Sequence, residues 1–207
     1  MTFPTVCNMQ DLSGLRMDAM ATSILQAFLP SSDDRKVRLY QHIFARLVDK
    51  GIYEYQLARE HLVKQVMESK RPYEELVKGR IIYMDGFTNH LENCINAVGR
   101  LLRLRDKLLS QQLDPPIPKT LRKVLQASSS TLVDVRNTVE HMDDVIRRDE
   151  LEEGAVGILS LGKDQASAVI GGYSISFRDL ETTLRKLHEI AHLRFKPMQS
   201  SSATDEA

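Results

Sequence analysis

The stretch 133–146 gathers three side chains whose types and spacing could do chemistry: Arg136, Asn137 and His141. An imidazole has a reference pKa of ~6.5, so it can take or give a proton near neutrality. A guanidinium can grip a pair of anionic oxygens through parallel N–H bonds. At about 100° per residue, Val135, Val139, Met142 and Ile146 form one apolar stripe, which must face a core. Asn137 and His141, at i and i+4, stack on one face. Arg136 lies roughly 90° and His141 roughly 130° from the stripe, so both are expected to flank the outer face. Glu140 stands four residues after Arg136 and Asp144 three after His141, each spaced to pair with its neighbour.

Arg136-Asn137-x3-His141 resembles the R-x4-6-H motif of the HEPN superfamily, in which a polar residue often follows the arginine. The resemblance rests on this motif in an all-helical setting and spans the central part of the chain, leaving out both ends. It implies a small helical bundle, commonly a homodimer, needing no cofactor or metal. It also implies RNA as partner, either cleaved by a metal-independent endoribonuclease or simply bound. In the cleaving case His141 would serve as general base or acid at the ribose 2′-hydroxyl or the leaving oxygen. Arg136 would stabilise the pentavalent phosphate, and Asn137 would orient His141 or the phosphate. Two facing copies would supply the second imidazole, and the products would be a 2′,3′-cyclic phosphate and a 5′-hydroxyl. The alternative is a non-catalytic helical module that binds a protein partner, antitoxin-like or a defence accessory, with the motif in its interface.

Other patterns carry less. Arg35-x6-His42 and Arg185-x6-His192 also match the bare spacing, but lysine follows each arginine. His188-Glu189-Ile190-Ala191-His192 matches H-E-x-x-H, the helix that offers two imidazoles to zinc. Only Asp205 and Glu206 lie downstream as a third ligand, and Lys186 and Arg194 flank the motif, so it reads as an ordinary polar helix. Arg100, Arg103, Arg105 and Lys107 read as a solvated helix face. Arg100, Arg103 and Lys107, with Arg122 and Lys123, form the candidate strip for RNA phosphates.

The 207 residues carry 28 basic and 28 acidic side chains, and this neutrality argues against a strongly electrostatic nucleic-acid binder. There is no Trp, and aromatics are sparse, which disfavours a base-stacking platform. Two cysteines, Cys7 and Cys94, form neither a disulfide framework nor a metal pattern. No apolar run approaches a membrane span, and a cytoplasmic location is expected.

The elements that must position the motif read as mainly α: an antiparallel helical bundle with a small β-hairpin before the C-terminal helix. Residues 1–12 read as loosely ordered, 13–196 as one domain, and 197–207 as a disordered tail. Helices are expected over 15–28, over 35–50 with Gly51 as terminator, over 52–69, and as one long helix over 73–112. Pro72 separates the last two, with Ser69 as a cap. After the loop 114–118 a short helix over 119–126 is expected. A capping box, Thr131-x-x-Asp134, then opens the motif helix, which runs to about 151. The hairpin spans about 155–174 and turns at 162–165. Ser176-x-x-Asp179 opens the last helix.

Overall fold

The computed structural model describes residues 4–15, 35–76, 79, 81–109, 118–150 and 157–194. It is mainly helical: α1 (Arg35–Ser69), α2 (Met84–Leu109), α3 (Lys119–Arg147) and α4 (Phe177–Arg194), with a single helical turn at Tyr73–Leu76. A three-stranded antiparallel sheet, β1 (Ser160–Leu161), β2 (Ser167–Ile170) and β3 (Tyr173–Ser176), precedes α4 in the order β1-β2-β3. The expected helix at 15–28, the start signal at 31–34, the loop at 114–117, the first hairpin residues before 157 and the tail 197–207 lie outside the described residues.

The most extensive contact joins α1 to α2. Its pairs run in opposite senses: Gln65 meets Tyr83, His61 meets Gly86, Glu54 meets His90, and Gly51 meets Ala97 and Val98. The two helices are therefore antiparallel. Both carry apolar residues every three or four positions, the spacing that stacks side chains on one helical face. Phe44, Val48, Ile52, Tyr55, Ala58 and Leu62 of α1 are buried, as are Phe87, Leu91, Cys94, Ile95, Val98 and Leu102 of α2. Phe177 and Leu180, Leu184 and Leu187 of α4 close the same core, and Phe87 and Phe177 meet edge to face at 6.2 Å. Such a pair contributes about 1 kcal/mol beyond its buried area.

Three helix boundaries differ from the sequence reading. Gly51 does not end a helix, because α1 runs through it for 35 residues. A Cβ there would lie 3.1 Å from Leu184 Cδ2, so this glycine permits close packing of α4 on α1. The expected helix 73–112 is interrupted between Leu76 and Met84. Gly79 takes φ +102, and buried side chains of α1 hold the returning chain. Gln65 Oε1 accepts from the Tyr83 amide at 2.8 Å, and Glu68 Oε1 accepts from the Ile81 amide at 3.2 Å. Ser69 is no cap for a following helix, since its hydroxyl donates back to the Gln65 carbonyl at 2.8 Å.

The third difference concerns α3. It starts directly after Pro118 and continues unbroken through the serine run where a new cap was expected. Leu125, Leu132, Val135 and Met142 are buried along its length, so one packed face overrides the local cap signal. The helix stops at Arg147, and Asp149 adopts φ +56 just beyond it.

The hairpin is correctly placed but has a third strand. Gly171 and Gly172, both at positive φ, turn β2 into β3, and β3 leads into α4. The Ser176 capping box forms as expected: its hydroxyl accepts from the Asp179 amide at 3.0 Å. At the β1–β2 connection, Asp164 Oδ1 accepts from the Ala166 and Ser167 amides and the Ser167 hydroxyl. These donors, Ala166 first, hold the Asp164 carboxyl below its ordinary value.

Residues 4–12 are docked, contrary to the loose N-terminus expected. Gln165 Oε1 accepts from the amides of Thr5 (2.8 Å) and Val6 (3.1 Å). Gln56 Oε1 accepts from the Leu12 amide, and Arg59 donates to the Met9 carbonyl. Met9 and Leu12 are buried. Gln165→Ala should accelerate amide hydrogen exchange at Thr5 and Val6 while leaving the α1–α2 core protected; unchanged exchange at both would show that Met9 and Leu12 alone hold the segment.

Candidate functional site

Helix α3 holds the motif by packing on α2, α4 and the sheet. Val135 and Met142 are buried and Val139 is half-buried, as the stripe requires. Ile146 departs from it at 57 % exposure, because the last turn of α3 runs past the edge of the core. A Cβ on Gly171 would meet Thr138 Cγ2 at 2.8 Å and Met142 Cε at 3.2 Å. The β2–β3 turn thus presses directly against the motif helix.

Arg136 does not flank the outer face as expected. Its side chain is only 16 % exposed and lies in the crossing of α2 and α3. A Cβ on Gly99 would fall 2.9 Å from Arg136 Cδ, so the bare glycine makes room for the aliphatic stem. The guanidinium is held within one turn of its own helix. Nη2 pairs with Glu140 Oε1, and Nη1 donates to Asn137 Oδ1 at 3.1 Å. Nε is buried and has no acceptor among the described residues.

His141 is exposed and makes no hydrogen bond among the described residues. Asp144, expected to pair with it, turns instead to Arg147 at 2.7 Å. Asn137 is exposed and serves Arg136. Arg136 and His141, five residues apart, are separated by about 140° around the helix axis. One copy of the helix therefore cannot aim both at the same atom. Asp134, Glu140 and Asp143 are exposed carboxylates of the same helix; of these Asp134, seven residues before His141, shares its face, while Glu140 and Asp143 lie toward Arg136.

Of the candidate phosphate strip, Arg100 and Arg103 are exposed on α2, Lys123 is exposed near the start of α3, and Arg122 is half-buried. The Lys107 side chain lies outside the described residues. Arg105, read as part of the solvated face, is instead buried at 8 % exposure. It falls on the apolar seam of α2, in phase with Val98 and Leu102.

Sequence reasoning missed a second cluster of titratable groups on the α1–α2 seam. His90 Nδ1 and Glu54 Oε2 are 2.8 Å apart, and the rings of His61 and His90 stand 5.3 Å apart. His61 Nδ1 is buried and has no hydrogen-bond partner among the described residues, and its ring lies against Gly86. No local signal could have found this group, since its members meet only across two helices. Near the C-terminus the rings of His188 and His192 meet at 4.5 Å, and Glu189 is paired with Lys186 at 2.6 Å. Among the described residues no group of three or more His, Cys, Asp or Glu could hold a metal ion, and no helix is long and apolar enough to cross a membrane.

The chain matches no family model, no curated protein and no solved structure.

Two predictions follow from this geometry. Gly99→Ala should push the Arg136 stem out of the helix crossing at a cost of about 2 kcal/mol, more than the ~1 kcal/mol gained in helix propensity, read as a lower urea midpoint with helical circular dichroism intact. A raised midpoint would mean the stem yields freely. The second concerns pH. His61 is held below the usual histidine value by burial first, then by His90 and Lys64, and His188 by burial first, then by His192. The unfolded chain takes up protons near pH ~6.5 that the folded chain declines, so stability is full above that pH and falls below it. The urea midpoint should drop between about pH 7.5 and about pH 5.5, and His61→Gln should flatten the drop; a midpoint level across that window would contradict the assignment.

Proposed function

We propose that this chain is a HEPN-like helical protein that acts on RNA through Arg136, Asn137 and His141, as a metal-independent endoribonuclease or an RNA-binding protein. The observation that carries the reading is the division of labour on α3. Arg136 is fixed by Asn137 and Glu140 at the helix crossing, while His141 stands exposed and unpartnered among the described residues. An exposed imidazole can exchange protons with a bound ribose or a leaving oxygen. A fixed guanidinium brought to the same phosphate can take the charge that develops on its oxygens.

The angular separation of the two groups favours a homodimer. With α3 of one copy facing α3 of another, His141 of one protomer would approach Arg136 of its partner, and two imidazoles would serve as acid and base. Arg100, Arg103, Lys107, Arg122 and Lys123 would draw the RNA backbone toward the site.

A second reading is a non-catalytic module for a protein partner. It is favoured by the exposed carboxylates Asp134, Glu140 and Asp143 along α3, since these repel phosphate and would welcome a basic surface.

The deciding experiment is incubation of a labelled RNA pool in EDTA with wild type and with His141→Ala, both shown to be equally folded. Loss of a general acid–base group should lower cleavage by about 10²- to 10⁴-fold, and wild-type products should end in 2′,3′-cyclic phosphates. Absence of wild-type cleavage at high protein concentration would discard the ribonuclease and leave binding, of RNA or of a basic protein, to be tested directly.

A further inference from the structure

We infer that Glu140 is a built-in competitor for the phosphate: it holds Arg136 in a parked position that RNA must displace. This rests on the RNA reading above and adds to it a control on the same site.

The parked state is visible in how the guanidinium is satisfied. Its Nη2 edge is closed by the Glu140 carboxylate, and Nη1 is engaged by Asn137. Its remaining stem-side donor, Nε, is buried with no acceptor among the described residues. A buried donor without a partner is unfavourable, so this arrangement is not the best one available to an arginine. It is tolerated because the stem is lodged against Gly99 and the carboxylate lies directly opposite. A phosphate and a carboxylate compete for the same guanidinium edge in the same bidentate geometry. While Glu140 holds that edge, Arg136 is neutralised and offers little to an approaching RNA backbone.

The lock is also built to open. The Glu140 side chain is 35 % exposed, against 16 % for Arg136. Glu140 can therefore turn into water while the arginine stays anchored by its stem. Ion pairs this close to the surface are weak enough to be exchanged for a stronger anion. Asp144, one turn further along the helix, is paired with Arg147 and does not take Glu140's place. Glu140 is thus a positioning residue, acting through Arg136.

The test uses binding of a short uridine oligomer at several salt concentrations, with cleavage kinetics beside it. Glu140→Gln keeps the shape and removes the charge. It should tighten binding several-fold and steepen the salt dependence by about 0.7, the slope of one added phosphate contact on a single strand. Any cleavage should show a lower KM with kcat little changed. Arg136→Ala should weaken binding, and Arg136→Ala/Glu140→Gln should match Arg136→Ala, because the glutamate acts only through the arginine. Glu140→Asp, which keeps the charge, should stay near wild type in salt slope and serves as the folding control. If Arg136→Ala weakens binding but Glu140→Gln leaves it unchanged or weaker, the parking is overturned and the RNA reading stands. If Arg136→Ala binds as wild type does, the site assignment fails and the parking fails with it.

Discussion

The antiparallel contact of α1 with α2 is the constraint on which the rest of the molecule depends. It buries the largest share of the apolar side chains, and its two helices carry glycines where neighbours come close: Gly86 admits the His61 ring across the contact itself, Gly51 admits α4 and Gly99 admits the stem of Arg136. At Gly86 and Gly99 a Cβ would overlap those side chains, and at Gly51 it would sit 3.1 Å from Leu184 Cδ2. In close-packed interiors such approaches are costly to alter, because the surrounding atoms have little room to give. The motif helix therefore takes its position from α2, and the arginine's position is in part a property of a glycine on another element.

The same principle explains what could be read from sequence and what could not. Apolar periodicity gave the helices, the run of Val, Ile and Gly gave the hairpin, and Ser176 with Asp179 gave the start of α4. These are local signals, written within one or two turns of chain. The misread boundaries share one cause. Gly51 looked like a terminator, and Ser128 to Thr131 looked like a cap, because each was judged against its neighbours in sequence. Buried faces running through both positions outweighed the local preference, as tertiary packing commonly does. At the motif, the pairing of Arg136 with Glu140 was legible because it is an i, i+4 relation. The burial of Arg136 was not, because Gly99 lies 37 positions away.

Electrostatically, the outer face of α3 is divided against itself. His141 and Asn137 sit among carboxylates, while the exposed arginines Arg100 and Arg103 lie on the neighbouring helix. Neutral overall composition therefore hides a local separation of sign, and a partner approaching α3 meets a different field from one approaching α2. The titratable seam between α1 and α2 adds a second region of closely spaced titratable groups, with Glu54 facing His90 and the His61 ring 5.3 Å from that of His90.

The docking of the N-terminal segment on the sheet has a consequence for how the chain is made. Thr5 and Val6 reach partners 160 and 159 residues later in the sequence. A ribosome emits those residues well before Gln165, which emerges only after α1, α2 and α3. Met9 and Leu12 must meanwhile remain as apolar side chains without their final shelter, at least until α1 is complete. Contacts of such long sequence separation form late, because the intervening loop must first be closed at an entropic cost. Residues made long before the sheet are therefore among the last to settle, and their arrival there would mark a late step of folding rather than an early one.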